Sequence, residues 1–269
     1  MSGLKDSKRI VVKVGTSSLT YPNGALSIRR IELLVKVLAD LKNSGKEIVL
    51  VSSGAIGVGV GELGLRERPS DTPTKQAYAA VGQCELMYIY DKLFAEHRHK
   101  VAQVLLTQDT IKDDYRKTNV TNTFERLLEL GVVPIVNEND TVSVEEIEFG
   151  DNDTLSAIVG KLCNTQLLVI LSDIDGLYDK DPHRYPDAKM IPYVPSVTQE
   201  IRELAGGRGS SLGTGGMVTK LNAAELANGY GFPMVILNGQ KPEALYDLFD
   251  GKTVGTQFGS LQNGTGSDQ

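Results

Sequence analysis

Carboxylate and amide side chains are concentrated between positions 136 and 156, in a pattern that suits binding of a small charged ligand. The segment reads V-N-E-N-D-T, then a short acidic link, then F-G-D-N-D-T-L-S. The β-branched run 132–136 predicts a buried strand before it, and 153–162 predicts a helix after it. In open α/β sheets, ligands bind beyond the carboxyl ends of the strands, so chemistry is expected at this connection. A solvated turn is the alternative, because Asn and Asp side chains also hydrogen-bond their own backbone. The polar residues of the segment are Asn137, Glu138, Asn139, Asp140, Asp151, Asn152 and Asp153.

Two lysines stand where an anion would be bound. Lys13 interrupts the apolar run 9–14, and a lysine in a central strand is costly unless its ammonium group meets an anion. An edge strand with Lys13 in solvent is the alternative, and the run alone does not decide between them. Lys220 lies in the first turns of a predicted helix that ends at about Ala227. Together the two lysines suit phosphoryl transfer, which depends on positioning and charge neutralisation.

Glycines and small residues lie where backbone N–H groups can approach an anionic ligand. Ser53 and Gly54 follow the predicted strand 47–51. The glycine-rich segment 206–216 precedes the helix with Lys220, and a helix N-terminus offers free N–H groups to phosphate. A flexible linker is the alternative interpretation. The segment is not a Walker A loop, because Lys220 follows threonine rather than glycine. The G-x-G-x-x-G match at 59–64 lies too far beyond its strand to indicate a dinucleotide site.

An alternation of strands and helices must position these groups. Because a strand, a helix and a strand follow one another over 9–51, a parallel pair is expected. The excursion 180–195 is rich in Pro, Asp and Lys and is predicted to be a surface loop. We expect one domain over 1–259 and a disordered tail over 260–269. Predicted strands are 9–14, 47–51, 101–106, 132–136, 166–171, 233–237 and 253–258. Predicted helices are 27–43, 74–97, 115–130, 153–162, 197–204 and 242–249, with one more that follows the glycine-rich segment, has Lys220 in its first turns and ends at about Ala227.

Composition excludes several classes of protein. The chain has 269 residues, of which 41% are hydrophobic and 23% charged, as in globular proteins. A net charge of -6 argues against nonspecific nucleic-acid binding. Neither a signal peptide nor a membrane span is predicted, so we expect a cytoplasmic protein without a membrane partner. The D-I-D-G motif lacks the closing acid of an EF-hand, and no metal site formed by protein side chains is expected. The cysteines and histidines match no metal or redox spacing: Cys84, Cys163, His97, His99 and His183.

The ordered motifs resemble those of the amino-acid kinase family. They are V-V-K-V-G-T-S, V-S-S-G-A-I-G, V-N-E-N-D, F-G-D-N-D-T-L-S-A, L-S-D-I-D-G-L-Y and G-T-G-G-M-V-T-K, and they cover about 9–258. The resemblance implies an α/β fold with a mainly parallel eight-stranded sheet sandwiched between helices. It implies a glutamate-binding half at about 1–165 and an ATP-binding half at about 166–259. The implied reaction is ATP-dependent phosphorylation of the L-glutamate γ-carboxylate to L-glutamyl 5-phosphate, the first step of proline biosynthesis, with Mg²⁺ carried by ATP.

The resemblance also implies roles for individual residues. Lys13 and Lys220 would flank the transferring phosphoryl group, and Asp153 would hold both lysines in place. The implied glutamate-binding residues are Ser53, Gly54, Asp140 and Asn152, with Asp140 accepting from the substrate α-ammonium group. A γ-carboxylate has a reference pKa of about 4.3, so it is ionised at neutral pH and needs no general base. The implied ATP-binding residues are Lys13, Ser172, Asp173, Thr214, Gly215, Gly216, Met217, Val218, Thr219 and Lys220.

The resemblance extends to partners, and two alternatives stay open. A homo-oligomer, dimer or tetramer, is expected, with proline as a feedback inhibitor to which the acidic loop 141–149 would respond. The chain is expected to be a form without the C-terminal PUA domain of many members. One alternative is a sibling kinase acting on aspartate, N-acetylglutamate, carbamate or UMP, which the N-E-N-D and G-D-N-D motifs disfavour. The other is a non-catalytic nucleotide or amino-acid sensor, which the two lysines and Asp153 disfavour.

Overall fold

One mainly parallel sheet runs through the protein, in a computed structural model that describes residues 3–21, 25–64, 70–142, 151–205 and 216–260. Its strands are β1 (Arg9–Val14), β2 (Glu47–Ser52), β3 (Val101–Leu106), β4 (Val133–Glu138), β5 (Leu167–Ser172), β6 (Tyr193–Val194), β7 (Met234–Asn238) and β8 (Thr256–Phe258). Within the described ranges these eight strands are ordered β3-β4-β2-β1-β5-β7-β8-β6. Neighbouring strands pair in parallel except β7 and β8, which are antiparallel. The predicted fold class is confirmed.

Helices cover both faces of the sheet. They are α1 (Thr16–Leu19), α2 (Ile28–Asn43), α3 (Ala55–Glu62), α4 (Thr72–Glu96), α5 (Gln108–Lys112), α6 (Asp114–Glu129), α7 (Asn152–Leu162), α8 (Gln199–Ala205), α9 (Gly216–Gly229) and α10 (Ala244–Phe249). Apolar side chains of α2, α4 and α10 pack on one face, and those of α6, α7 and α9 pack on the other. None of the helices in these ranges combines the length and apolar character that crossing a bilayer requires.

Strand β1 lies in the middle of the sheet, which decides the question left open for Lys13. Lys13 pairs with Val51 of β2 on one side and with Ile170 of β5 on the other. Because side chains alternate along a strand, Lys13 points to the same face as Val11, whose neighbours include residues of α7 and α9. Lys13 is therefore a buried lysine on a central strand rather than an exposed lysine on an edge.

Several short elements differ from the predictions. The excursion 180–195 contains β6, which pairs with β8 and is too short to show a periodicity. Helices α1, α3 and α5 were not predicted, because each is too short to show a clear helical periodicity in the sequence. Ser27 precedes α2, as predicted, but its side chain makes no capping hydrogen bond. Helix α7 is instead capped by Asp151, which accepts a hydrogen bond of 2.8 Å from the Thr154 N–H group.

One glycine of the G-x-G-x-x-G match, Gly59, packs two helices closely together with Gly82. A Cβ atom built on Gly59 of α3 would lie 2.1 Å from the Tyr78 carbonyl oxygen of α4. A Cβ atom on Gly82 of α4 would lie 1.8 Å from the Ala55 carbonyl oxygen of α3. The backbones of α3 and α4 therefore meet without intervening side chains, and this contact accounts for Gly59 and Gly82.

Three predicted segments lie partly or wholly outside the described residues. Most of the acidic loop 141–149 is among them, as are most of the glycine-rich segment and most of the predicted tail. Thr214 and Gly215, which were predicted to bind ATP, belong to this group.

Candidate active site

A buried aspartate joins two buried lysines at the carboxyl end of the central strand. Lys13 Nζ lies 2.7 Å from Asp153 Oδ1, and Lys220 Nζ lies 3.2 Å from Asp153 Oδ2. Lys13 and Lys220 are each 8% exposed, and Asp153 is 3% exposed. The three residues come from β1, α7 and α9, so long-range packing brings them together. We call this group the lysine–aspartate cluster.

The cluster carries net positive charge in a site largely shielded from water. Burial would raise the pKa of the Asp153 carboxyl group, but Lys13 and Lys220 outweigh it and hold that pKa below its usual value. One carboxylate cannot neutralise two ammonium groups. A polyanionic ligand such as a triphosphate would supply the missing negative charge.

The start of α9 adds further donors to the cluster. The Thr219 hydroxyl group donates to Asp153 Oδ2 over 2.8 Å, and Lys220 Nζ donates to the Gly216 carbonyl oxygen over 2.9 Å. Gly216 is the first residue of the helix, so its N-terminal N–H groups and positive dipole end lie beside the lysines. Met217 and Val218 occupy the same first turn. This arrangement suits a phosphate group.

A second cluster of polar groups lies between β2, β4 and α7. Asn152 Nδ2 lies 3.0 Å from the Ser52 carbonyl oxygen, 2.7 Å from Ser53 Oγ and 3.0 Å from Asn137 Oδ1. Gly54, which follows Ser53, has a φ of 96°, and this left-handed conformation lets β2 turn directly into α3. Ser53, Gly54 and Asn152, all predicted to bind glutamate, are therefore close together.

Asp140 lies in a pocket beside this second cluster. Burial raises its pKa to about 6, and the nearby Glu138 carboxylate adds to the shift. A cationic group such as an ammonium would relieve both effects. The pocket is lined by Ala55, Ala79, Gln83, Leu105, Glu138, Asn139, Asp140 and Thr141.

The carboxyl end of β5 holds the other predicted nucleotide residues. Ser172 is buried, and its hydroxyl group donates to Asp173 Oδ1 over 3.1 Å. The Ser172 carbonyl oxygen accepts a hydrogen bond of 2.6 Å from the Gly239 N–H group after β7. In the strand order, β5 lies on the opposite side of β1 from β4, the strand that precedes Asp140. Among the described residues, no group of three or more His, Cys, Asp or Glu side chains is arranged to hold a metal ion.

Two polar residues of the site have no predicted role. Asn137 belongs to the polar segment that opens the sequence analysis, and Gln83 lies on α4. Gln83 is 8% exposed and stands between Ala79 and Leu86, both buried, at helical spacing. A glutamine on the apolar face of a predicted helix is the sequence feature that identifies it.

The matches to known proteins define the class. The sequence pattern described as the amino acid kinase family matches residues 8–238. The chain therefore belongs to the amino acid kinase family, and it is a kinase. Among solved structures, carbamate kinase from Giardia lamblia bound to AMP-PNP superimposes with a TM-score of 0.67, covering 95% of this chain and 100% of that one. At 17% identity, this likeness concerns the fold alone.

Relatives with much higher identity carry a more particular name. A protein named glutamate 5-kinase from Clostridium perfringens (strain 13 / Type A) is 58% identical over 259 residues, covering 95% of this chain and 96% of the relative. A glutamate 5-kinase from Listeria innocua serovar 6a is 54% identical over 261 residues, covering 96% and 95%. Both matches extend over nearly the whole of each chain.

Proposed function

We propose that this kinase transfers the γ-phosphoryl group of ATP to the γ-carboxylate of L-glutamate, giving L-glutamyl 5-phosphate and ADP. The observation that carries the proposal is the lysine–aspartate cluster, which lies beside the start of α9, and whose Asp153 directly follows Asn152, the residue that contacts Ser53. The names of the relatives at 58% and 54% identity support glutamate as the acceptor. In this proposal, residues 1–165 bind glutamate and residues 166–259 bind ATP.

The transfer proceeds in line and needs no general base. A γ-carboxylate oxygen, already ionised, forms a bond to the γ-phosphorus atom while the bond from that phosphorus to the β–γ bridging oxygen breaks. Lys13 and Lys220 neutralise the charge on the phosphoryl oxygens during transfer, and Asp153 fixes both ammonium groups. Mg²⁺ bound to the nucleotide supplies further positive charge to the phosphates.

Substrate positions follow from the polar groups beside the cluster. Asp140 accepts from the α-ammonium group of glutamate, while Ser53, Gly54 and Asn152 contact the amino acid. Ser172, Asp173 and the first turn of α9 contact ATP. The same proposal includes four properties that the family resemblance implies. They are a role in proline biosynthesis, inhibition by proline, a dimeric or tetrameric assembly and a cytoplasmic location.

A trapping assay tests the proposed acceptor. The purified protein is incubated with ATP, Mg²⁺, hydroxylamine and one acid at a time, and the hydroxamate formed from any acyl phosphate is measured. Glutamate is expected to give the largest kcat/KM. Faster hydroxamate formation with aspartate or N-acetylglutamate would contradict the proposal.

Replacing Asp140 with alanine is expected to weaken glutamate binding selectively. A charged hydrogen bond to the substrate ammonium group is worth about 1.5–3 kcal/mol, so kcat/KM for glutamate should fall roughly ten- to a hundredfold. The KM for ATP should change less than about twofold, because Asp140 lies in the pocket away from β5. Steady-state kinetics with each substrate varied in turn measures both values. A comparable rise in the KM for ATP would place Asp140 in the nucleotide half.

The KM for glutamate is expected to depend on the ionisation of Asp140. Because the pKa of Asp140 is raised to about 6, its charge is present above pH 6 and is lost as the pH falls below that value. The KM for glutamate should therefore rise by roughly tenfold for each pH unit below about 6 and stay level above pH 7. Measuring it at saturating ATP from pH 5 to 8 gives the profile. Asp140→Asn should abolish this dependence; an unchanged profile in that variant would assign the titration to another group.

A further inference from the structure

A continuous row of hydrogen-bonded amides connects α7 to α4. Asn152 Nδ2 donates to Asn137 Oδ1 over 3.0 Å, and Asn137 Nδ2 donates to Gln83 Oε1 over 3.0 Å. The same Asn152 nitrogen contacts Ser53 Oγ. The row therefore joins a residue of α4 to two residues that the proposed function places against glutamate.

The row is buried and has one direction. Gln83 is 8% exposed and Asn137 is 2% exposed, so water cannot readily replace a lost partner. The Asn137 carboxamide accepts from Asn152 on one side and donates to Gln83 on the other. Turning the Asn137 carboxamide over would place its nitrogen against the nitrogen of Asn152 and its oxygen against the oxygen of Gln83. The acceptor oxygen of Gln83 thus sets the orientation of Asn137, and Asn137 helps to orient Asn152 together with the Ser52 carbonyl oxygen.

The Gln83 end of the row also reaches the pocket in which Asp140 lies. Gln83 lines that pocket together with Asp140 and Glu138. Its Oε1 atom is engaged by Asn137, so Nε2 is the remaining polar group of its side chain.

We propose that Gln83 is a positioning residue for the acceptor substrate: through Asn137 it fixes the carboxamide of Asn152 beside Ser53. The proposal rests on the proposed function insofar as Ser53 and Asn152 contact the substrate. Gln83 acts on the amino-acid side of the lysine–aspartate cluster, so its loss should affect acceptor binding more than ATP binding or the chemical step.

The test uses Gln83→Met, which has a similar length and no strong hydrogen-bonding group. The acceptor is whichever acid the wild-type protein turns over fastest in the hydroxylamine assay. The KM for that acid should rise about tenfold, because Asn137 loses its buried acceptor. The KM for ATP should stay within about twofold and kcat within about threefold. Cys84, the exposed neighbour of Gln83 on the same helix, provides a matched control. Cys84→Ala should leave both KM values and kcat unchanged.

A double-mutant cycle separates positioning from general loss of stability. If Gln83 acts through Asn137, then Gln83→Met in an Asn137→Ala background should raise the KM by less than about twofold further. Multiplying effects in the double variant, or an unchanged KM in Gln83→Met alone, would overturn the proposal. If Asn137→Ala does not fold, Asn152→Ala replaces it in the cycle. Turnover of an acid other than glutamate would reject the proposed function, yet the cycle would still be measured with that acid.

Discussion

Replacing either Lys13 or Lys220 with methionine is expected to lower kcat by about 10²–10³ while ATP still binds. Removing one preorganised donor to a transition state typically costs this much. The two lysines approach Asp153 from β1 and from α9, so each can serve a different side of the phosphoryl group. As the phosphoryl group passes from one anion to another, the negative charge on its oxygens is best neutralised by cationic groups on both sides. Methionine keeps most of the stem volume and removes the charge.

Turnover and nucleotide affinity must be measured separately for Lys13→Met and Lys220→Met. The dissociation constant for ATP should rise less than kcat falls, because other groups of the first turn of α9 remain. Lys100→Met is a matched control: Lys100 is exposed and precedes β3, so its replacement should change kcat by less than about twofold. Near-normal kcat in either cluster variant would mean that the lysine concerned is only structural.

Replacing Asp153 with asparagine is expected to reduce both turnover and stability. Asp153 is 3% exposed, and its loss would leave two buried ammonium groups without their shared counter-charge. Removing one partner from a buried ion pair typically costs about 3–5 kcal/mol. The lysines would also lose the contact that fixes them, so kcat should fall on the order of a hundredfold. Urea unfolding and steady-state kinetics on the same preparations measure the two effects.

The same carboxylate links stability to pH in a defined direction. Lys13 and Lys220 hold the pKa of Asp153 below its usual value despite burial. The charged Asp153 therefore contributes its full stabilisation of the folded state above pH 3.8, which is the pKa of this group in the unfolded chain. It is lost as the pH falls further, through the folded-state pKa. Asp151→Asn, two positions earlier, is the matched control, since asparagine also caps helices well. Equal unfolding free energies for Asp153→Asn and wild type at pH 7 would contradict the electrostatic role of Asp153.

The sequence is informative where the structure depends on local patterns. Seven of the strands have periodic or β-branched runs. Lys13 was predicted to lie in a strand and Asp153 at the start of a helix, and the structure places them in β1 and at the start of α7. The order of strands is not a local property, so the run around Lys13 was compatible with an edge or a central strand. β6 escaped prediction because its two residues form a strand only by pairing with β8.

The amide row shows the same limit within the site. The motif N-E-N-D drew attention to Asn137 and Asp140, but nothing in that motif points to α4. Gln83 reaches Asn137 because α4 packs beside the carboxyl ends of β2 and β4, across a separation of 54 residues. A polar residue on an apolar helix face is a signal that could have drawn attention to Gln83, but only the fold identifies its partner.

An oxygen-transfer measurement tests the central claim, that a glutamate carboxylate oxygen attacks the γ-phosphorus of ATP. Glutamate labelled with ¹⁸O at both γ-carboxylate oxygens is incubated with ATP, Mg²⁺, hydroxylamine and the protein. Hydroxylamine attacks the acyl carbon, so the bridging oxygen leaves with the phosphate. Mass spectrometry should find one ¹⁸O atom in the released phosphate and one in the hydroxamate. Unlabelled phosphate released at the rate of ADP formation would show that water is the acceptor, and it would contradict the assignment of the site to carboxylate phosphorylation.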